Sequence, residues 1–415
     1  MPDRLDRRLG VADAVTIGLG SMLGAGVFSA VGPAADAAGS WLLAGLVVAG
    51  LVAYANATSS AALAAVYPES GGTYVYGQRR LGPFWGFLAG WAFLGGKLAS
   101  CAAMALTLGS YLAPGLARPV ALGGLAAATV ANYRGVARTA AATRVVVVLV
   151  LAALAVAVAG MLLGGQAAPA NLAGRGDWPG LHGMLQAAGL LFFAFAGYAR
   201  IATLGEEVAD PARTIPRAVP LALGIVLAVY AVVSAAALLA VGPAALARSA
   251  APLAEAVGAG RLAALEPAVR VGAAVASLGV LLSLQAGLSR TGFAMAANGD
   301  LPGDLAAVHP RYRVPHRAEL AVAGLVAVAV LAVDLRGAIG FSSTLVLVYY
   351  AVANAAAWTL RPAERRWPRW LAAAGLAGCL LLAASLPASS VLAGAAVLGI
   401  GAAVWVVRRT RRQPS

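Results

Sequence analysis

Two glycine-weakened apolar segments and a single lysine carry most of the chemistry this sequence offers. The first segment contains GLGSMLGAGVFSAVG, Gly18 to Gly32, in which five of fifteen residues are glycine. The second contains LLFFAFAGYAR, with Gly197 set among aromatic residues. The lysine is Lys97, the only one in 415 residues, near the middle of the run GWAFLGGKLASCAAMALTLGSYL. A helix interrupted inside a bilayer frees N–H and C=O groups that only a cavity, a ligand or an ion can satisfy. Freed amides at a half-helix N-terminus attract a carboxylate, and freed carbonyls attract an ammonium or another cation. A zwitterion answers both, and an amino acid is the simplest example. The competing explanation for the first segment is close helix packing, because Gly20 and Gly24 have small-xxx-small spacing.

A cation at the centre of a spanning helix costs at least about 2.5 kcal/mol on insertion scales and normally faces a cavity or a partner. Snorkelling does not rescue Lys97, because about 13 residues of its span precede it and about 16 follow. Each flank is then roughly 20 Å of helix. Lysine, unlike arginine, gives up its proton readily when desolvated. Lys97 is therefore a candidate coupling residue, either cycling its proton or standing as a fixed cation in place of sodium near the first-span carbonyls. A structural hydrogen bond to backbone carbonyls is the alternative.

The elements that must position these residues are membrane helices. The chain is 61% hydrophobic and 11% charged, with a mean hydropathy of +0.83. Apolar runs of about 20 residues recur along its length, and the ten-residue alternation of a transmembrane barrel is absent. The fold class is an all-α polytopic membrane protein of about twelve transmembrane helices. Their approximate limits are 11–35, 41–65, 84–113, 119–133, 142–165, 184–205, 217–241, 268–297, 318–334, 339–360, 370–386 and 389–407. The stretch 242–267 is too polar to span and reads as an external loop of short helices lying on the protein.

With the N-terminus inside, only Arg118, Arg175, Arg248, Arg261, Arg270 and Arg336 fall on the outer side, and the other arginines fall on the cytoplasmic side. This skew predicts a multi-pass protein of the cytoplasmic membrane with both termini inside. It also accounts for the net charge of +14 without nucleic acid. The basic opening MPDRLDRRLG leads into a retained first span rather than a cleaved signal. Spans one and six, which carry the two glycine interruptions, occupy matched positions if the fold is two five-helix repeats of opposite orientation. Interruptions at matched positions are the best sequence pointer to a transporter's binding site.

Four stretches carry a resemblance to the amino acid–polyamine–organocation superfamily, in particular its cationic and general amino acid permease branches. They are GLGSMLGAGVFSAVGPAA at 18–35, YPESGGTYVYGQRRLGP at 67–83, FFAFAGYARIATLGEEVADPARTIPRAVP at 192–220 and SRTGFAMAANGDLP at 289–302. The resemblance implies an inverted five-plus-five repeat with discontinuous helices one and six. It divides the chain into a cytoplasmic N-terminus 1–10, repeats 11–165 and 184–360, two accessory helices 370–408 and a cytoplasmic C-terminus 409–415. It implies a carboxylate site at Ser21, Met22, Gly24, Ala25 and Gly26, and a span-six wall at Phe193, Ala194, Phe195, Gly197 and Tyr198. Phe195 or Tyr198 is a candidate lid, with core or lipid packing as the alternative. Proton-coupled relatives place a lysine in span five, whereas span five here, RVVVVLVLAALAVAVAG, has none.

Arg200 and Glu206 are a candidate inner gate, against the plainer readings of a positive-inside residue and a solvated helix-end carboxylate. Ser277 and Ser283 form no clear cation site, and His182, His309 and His316 lack metal spacing. Cys101 and Cys379 read as small packing residues. No nucleophile with a matched base, phosphate loop or redox motif appears, so neither an enzyme nor a cofactor is implied. The expected function is secondary active transport of an amino acid by alternating access, with a proton as the candidate coupling ion, by symport or exchange. The alternatives are a polyamine or organic-cation transporter of the same fold and a non-transporting amino acid sensor. Lys97 and the lack of midplane acids disfavour a cationic substrate.

Overall fold

In hydrocarbon no water competes for backbone hydrogen bonds, so runs rich in Ala, Leu and Val close those bonds internally as helices. A computed structural model describes residues 10–67, 71–135, 140–172, 178–198, 201, 208 and 210–412. The first interrupted segment forms α1 (Val11–Met22), α2 (Ala25–Ser29) and α3 (Val31–Ala38). Then come α4 (Leu42–Val66), the short α5 (Thr73–Leu81), α6 (Pro83–Leu112), α7 (Ala117–Tyr133) and α8 (Ala140–Leu163). The second interrupted segment contributes α9 (Gly180–Phe195), which tightens into a 3-10 turn over Ala196–Tyr198.

The remainder comprises α10 (Pro211–Arg248), α11 (Pro252–Gly258), α12 (Glu266–Ala297), α13 (His316–Ala332), α14 (Leu335–Trp358), α15 (Arg369–Ser385) and α16 (Ala388–Arg412). Gly242, at φ 72°, breaks α10 ahead of Pro243. The stretch expected as an external loop folds as the end of α10, α11 and a 3-10 turn, and α11 buries Leu253, Ala254, Ala256 and Val257. Nine helical stretches among the described residues are long and apolar enough to cross a membrane.

Burial sorts these helices into a centre and a rim. The apolar windows of α6 and α14 are 78% and 83% buried, whereas that of α16 is 17% buried. Leu51, Val148, Val328 and Leu392 are left exposed, as side chains with lipid for a solvent should be. The centre is held together by small residues that let backbones approach. A Cβ on Gly26 would stand 2.7 Å from the Ala194 Cα, and one on Gly197 would stand 2.9 Å from the Met22 nitrogen. The two interrupted segments therefore touch backbone to backbone. Cys101 and Cys379 are buried free thiols, and the Cys379 Sγ donates to the Asn56 Oδ1 at 3.2 Å.

Gly26→Ala forces apart a contact that has no flexible side chain to give way, so it should cost about 1–3 kcal/mol. A lowered Tm of the purified protein checks this. Gly399→Ala, with nothing near its added methyl, should leave Tm unchanged or slightly raised.

Candidate functional site

The first helix stops where the glycine-rich motif requires it to. Leu23, at φ −74° and ψ 52°, forms an inverse γ-turn in which the Gly24 N–H donates to the Met22 carbonyl at 2.8 Å. Ala25 and Gly26 then open α2, and helix geometry leaves their N–H groups without intrahelical acceptors. Opposite them, α9 ends at Phe195 and its last carbonyls turn to side chains. The Tyr230 hydroxyl meets the carbonyls of Met22 and Ala194, the latter at 2.9 Å. The Tyr350 hydroxyl donates to the Ala196 carbonyl at 3.1 Å, and the Lys97 Nζ approaches the same oxygen at 3.5 Å.

A cavity lies at this junction. It is lined by Ser21, Met22, Gly24, Gly26, Phe193, Ala194 and Gly197 from the interrupted segments, together with Lys97, Ser100, Met104, Val280 and Leu284. Lys97 is buried and is the one ionisable side chain among these lining residues. One turn along α6, the Ser100 hydroxyl meets that of Ser342 at 2.7 Å. About 30 Å³ is open to water centres, which is room for one or two waters. A larger solute needs the walls to move.

Seven of the ten residues expected at the site, and Lys97, thus line one cavity. Ala25 contributes backbone at the start of α2. Phe195 and Tyr198 are fully buried behind the cavity, against Tyr230 at 5.1 Å and Tyr350 at 5.0 Å between ring centroids. Lys97 contacts a carbonyl of the sixth segment rather than the first. Arg200 and Glu206 lie outside the described residues. Ser277 and Ser283 donate to carbonyls of their own helix, and no group of three metal-ligating side chains occurs among the described residues. Sequence reasoning missed Tyr230 and Tyr350. Their signal was a phenol in mid-span, which needs a partner when buried.

Hydrogen-bonded clusters stand at the two ends of α6, the helix that carries Lys97. On the arginine-poor side, the buried Tyr111 hydroxyl donates to the Phe28 carbonyl at 2.7 Å and accepts from the Leu253 N–H at 3.3 Å. Arg270 donates to the Tyr111 carbonyl at 3.0 Å. On the arginine-rich side, Arg80 pairs with Glu364 at 2.7 Å and lies over the Tyr67 ring. The Arg361 N–H, and after it the Arg80 guanidinium, holds the Glu364 carboxyl below its usual range. Tyr74 bridges to Asp300 at 2.7 Å on the same side.

The described residues define an all-helical polytopic membrane protein with a cavity where two helices are interrupted. The amino acid permease family profile matches residues 13–399, and the chain belongs to that family. It is 60% identical to an uncharacterized transporter of Mycobacterium tuberculosis over 414 residues, covering 99% of this chain and 94% of the relative. It is 26% identical to the branched-chain amino acid permease of Bacillus subtilis over 353 residues, or 75% of this chain and 72% of that protein. It is 29% identical to cationic amino acid transporter 4 of Homo sapiens over 378 residues, or 84% of this chain and 59% of that protein.

Tyr230→Phe takes a donor from two buried carbonyls and should cost about 1–3 kcal/mol. A clear fall in Tm, against no change for the exposed Tyr54→Phe, checks it. Glu364, with its folded pKa depressed, stabilises the protein fully above the ordinary glutamate value of 4.5 and loses that contribution as pH falls through its lower folded value. The Tm difference between wild type and Glu364→Gln should accordingly shrink as pH drops below 4.5.

Proposed function

We propose that this permease is a secondary active transporter of neutral amino acids, working by alternating access around the cavity at Lys97. The observation that carries this reading is the meeting of both helix interruptions at one cavity whose lining holds a single ionisable group. The substrate carboxylate is assigned to the N–H groups of Ala25 and Gly26, with Ser21, Met22 and Gly24 shaping the turn. Its ammonium is assigned to the carbonyls of Ala194 and Ala196. Phe193, Met104, Val280 and Leu284 supply an apolar wall for its side chain.

A cationic side chain or a polyamine would want a carboxylate in this cavity, and the lining offers Lys97 instead. The branched-chain specificity in the name of the Bacillus relative fits an apolar wall better than the cationic specificity in the name of the human one. Gly197 keeps the sixth segment close to the first. Phe195 and Tyr198 are assigned to bracing Tyr230 and Tyr350.

Lys97 is assigned the coupling role, by proton-linked exchange in which the substrate and the Lys97 proton exclude one another. A substrate ammonium at the Ala196 carbonyl and a protonated Lys97 at the same oxygen would stand a few ångströms apart with little water between them. Like charges that close in a low-dielectric site cannot both persist. Substrate occupancy and the Lys97 proton are thereby linked.

The architecture fits twelve membrane helices, counting the nine long apolar stretches and the 17-residue helices α7, α13 and α15. Residues 11–165 and 184–360 are assigned as the inverted repeats and 370–408 as the accessory pair. The arginine-rich side, with both termini, is assigned to the cytoplasm. Arg200 and Glu206 stay a candidate inner gate, with a positive-inside residue and a solvated helix-end carboxylate as the alternatives.

Proteoliposomes with an imposed pH gradient test the coupling. Lys97→Met should keep counterflow of a neutral amino acid such as leucine while losing gradient-driven accumulation. Accumulation equal to wild type in Lys97→Met would overturn the role of Lys97. Absence of counterflow in the wild type across a panel of neutral, acidic and basic amino acids would overturn transport itself and favour a sensor.

A further inference from the structure

A second cavity lies away from the transport site, between α4 and the segment joining α14 to α15. Thr58, Ser59 and Ala62 of α4 form one wall, Ala357 and Leu360 another, and the sequence RRWPR, Arg365 to Arg369, forms the rim. Three guanidinium-bearing residues within five positions thus converge on one small space. No carboxylate pairs with them among the described residues. Glu364, their neighbour in sequence, is engaged by Arg80 and by the Arg361 N–H.

Two of the three guanidinium groups are held in place by neutral partners. The Arg365 Nε donates to the Leu360 carbonyl at 2.7 Å, which leaves its terminal nitrogens free of that bond. The Arg369 guanidinium stacks on the Trp358 ring at 3.8 Å from the centroid, which fixes its plane without neutralising its charge. Arg366 is exposed beside them. The arginine bias of cytoplasmic loops explains positive charge here, but it does not explain guanidinium groups fixed at the edge of a cavity with no counter-charge.

We propose that the arginine rim of this cavity, rather than its interior, which has room for about one water, binds the phosphate of an acidic phospholipid from the arginine-rich leaflet. Guanidinium forks match phosphate oxygens, and the fixed orientation reduces the entropy lost on binding. The lipid source follows from the surroundings. Trp358 and Trp370 are 40% and 63% exposed on either side of the arginines, the placement of interfacial aromatics at headgroup level. Basic pockets between spanning helices on that side are suited to anionic headgroups. The Thr58 hydroxyl donates to the Ala55 carbonyl at 2.8 Å, so Ser59 is the lining hydroxyl left to meet the ester or glycerol oxygens.

Thermal unfolding of the full-length protein in neutral detergent micelles, titrated with palmitoyl-oleoyl phosphatidylglycerol or the matching phosphatidylcholine, tests this. Phosphatidylglycerol should raise Tm at concentrations where phosphatidylcholine does not. Its apparent affinity should fall about fivefold for each arginine removed, first in Arg366→Gln and further in the Arg365→Gln, Arg366→Gln, Arg369→Gln triple variant. The corresponding triple lysine variant, which keeps the charge but loses the forks and the stacking, should bind phosphatidylglycerol more weakly than wild type and more tightly than the triple glutamine variant, and it guards against a folding defect in the latter. Equal stabilisation by the two lipids, or undiminished phosphatidylglycerol stabilisation in the glutamine variants, would overturn the proposal. Inorganic phosphate matching phosphatidylglycerol would assign the site to free phosphate and overturn the lipid.

Discussion

A carbonyl released from a helix inside a bilayer has no water to turn to, and leaving it unpaired costs several kcal/mol. The centre of this permease is organised around that constraint. Breaking α1 at Leu23 and ending α9 at Phe195 leave the carbonyls of Met22, Ala194 and Ala196 in the interior. Tyr230, Tyr350 and Lys97, from three other helices, supply their donors. A phenol and a lysine amine both donate to a carbonyl, and the amine keeps N–H donors after losing its proton, so the Ala196 oxygen, shared between the two, has a donor in either protonation state of Lys97.

The glycines make this arrangement sterically available. Gly24 completes the γ-turn that ends α1, and Gly26 and Gly197 let the interrupted segments meet without side chains between them. Substituting alanine along the first segment would retain the hydropathy of a span and lose the site. Glycine in this motif is thus selected by contact geometry as well as by its weakness in helices.

Much of this was legible in the sequence because it is local. Span limits follow from hydropathy and from Pro and Gly boundaries, and most observed helices start and stop within a few residues of them; α10 runs from Pro211 to Arg248 rather than 217–241, and the end expected for span six lies outside the described residues. Gly18 to Gly32 and Gly197 mark the interruptions, and the solitary mid-span position of Lys97 marks a buried cation. What was not legible depends on which helices face one another. Nothing near Lys97 in sequence says that its partner is the Ala196 carbonyl, 99 positions away. Phe195 and Tyr198 sit near Gly197 in sequence but pack against Tyr230 and Tyr350, on α10 and α14, partners that no local pattern names.

The two clusters at the ends of α6 differ in kind. Tyr111 ties α2 to α11 through the hydrogen bonds of a fully buried phenol, with Arg270 on its carbonyl. Arg80 and Glu364 form an ion pair with both side chains partly open to solvent. Salt and acid weaken that pair more than the bonds of the buried phenol, because screening and protonation act on accessible charge.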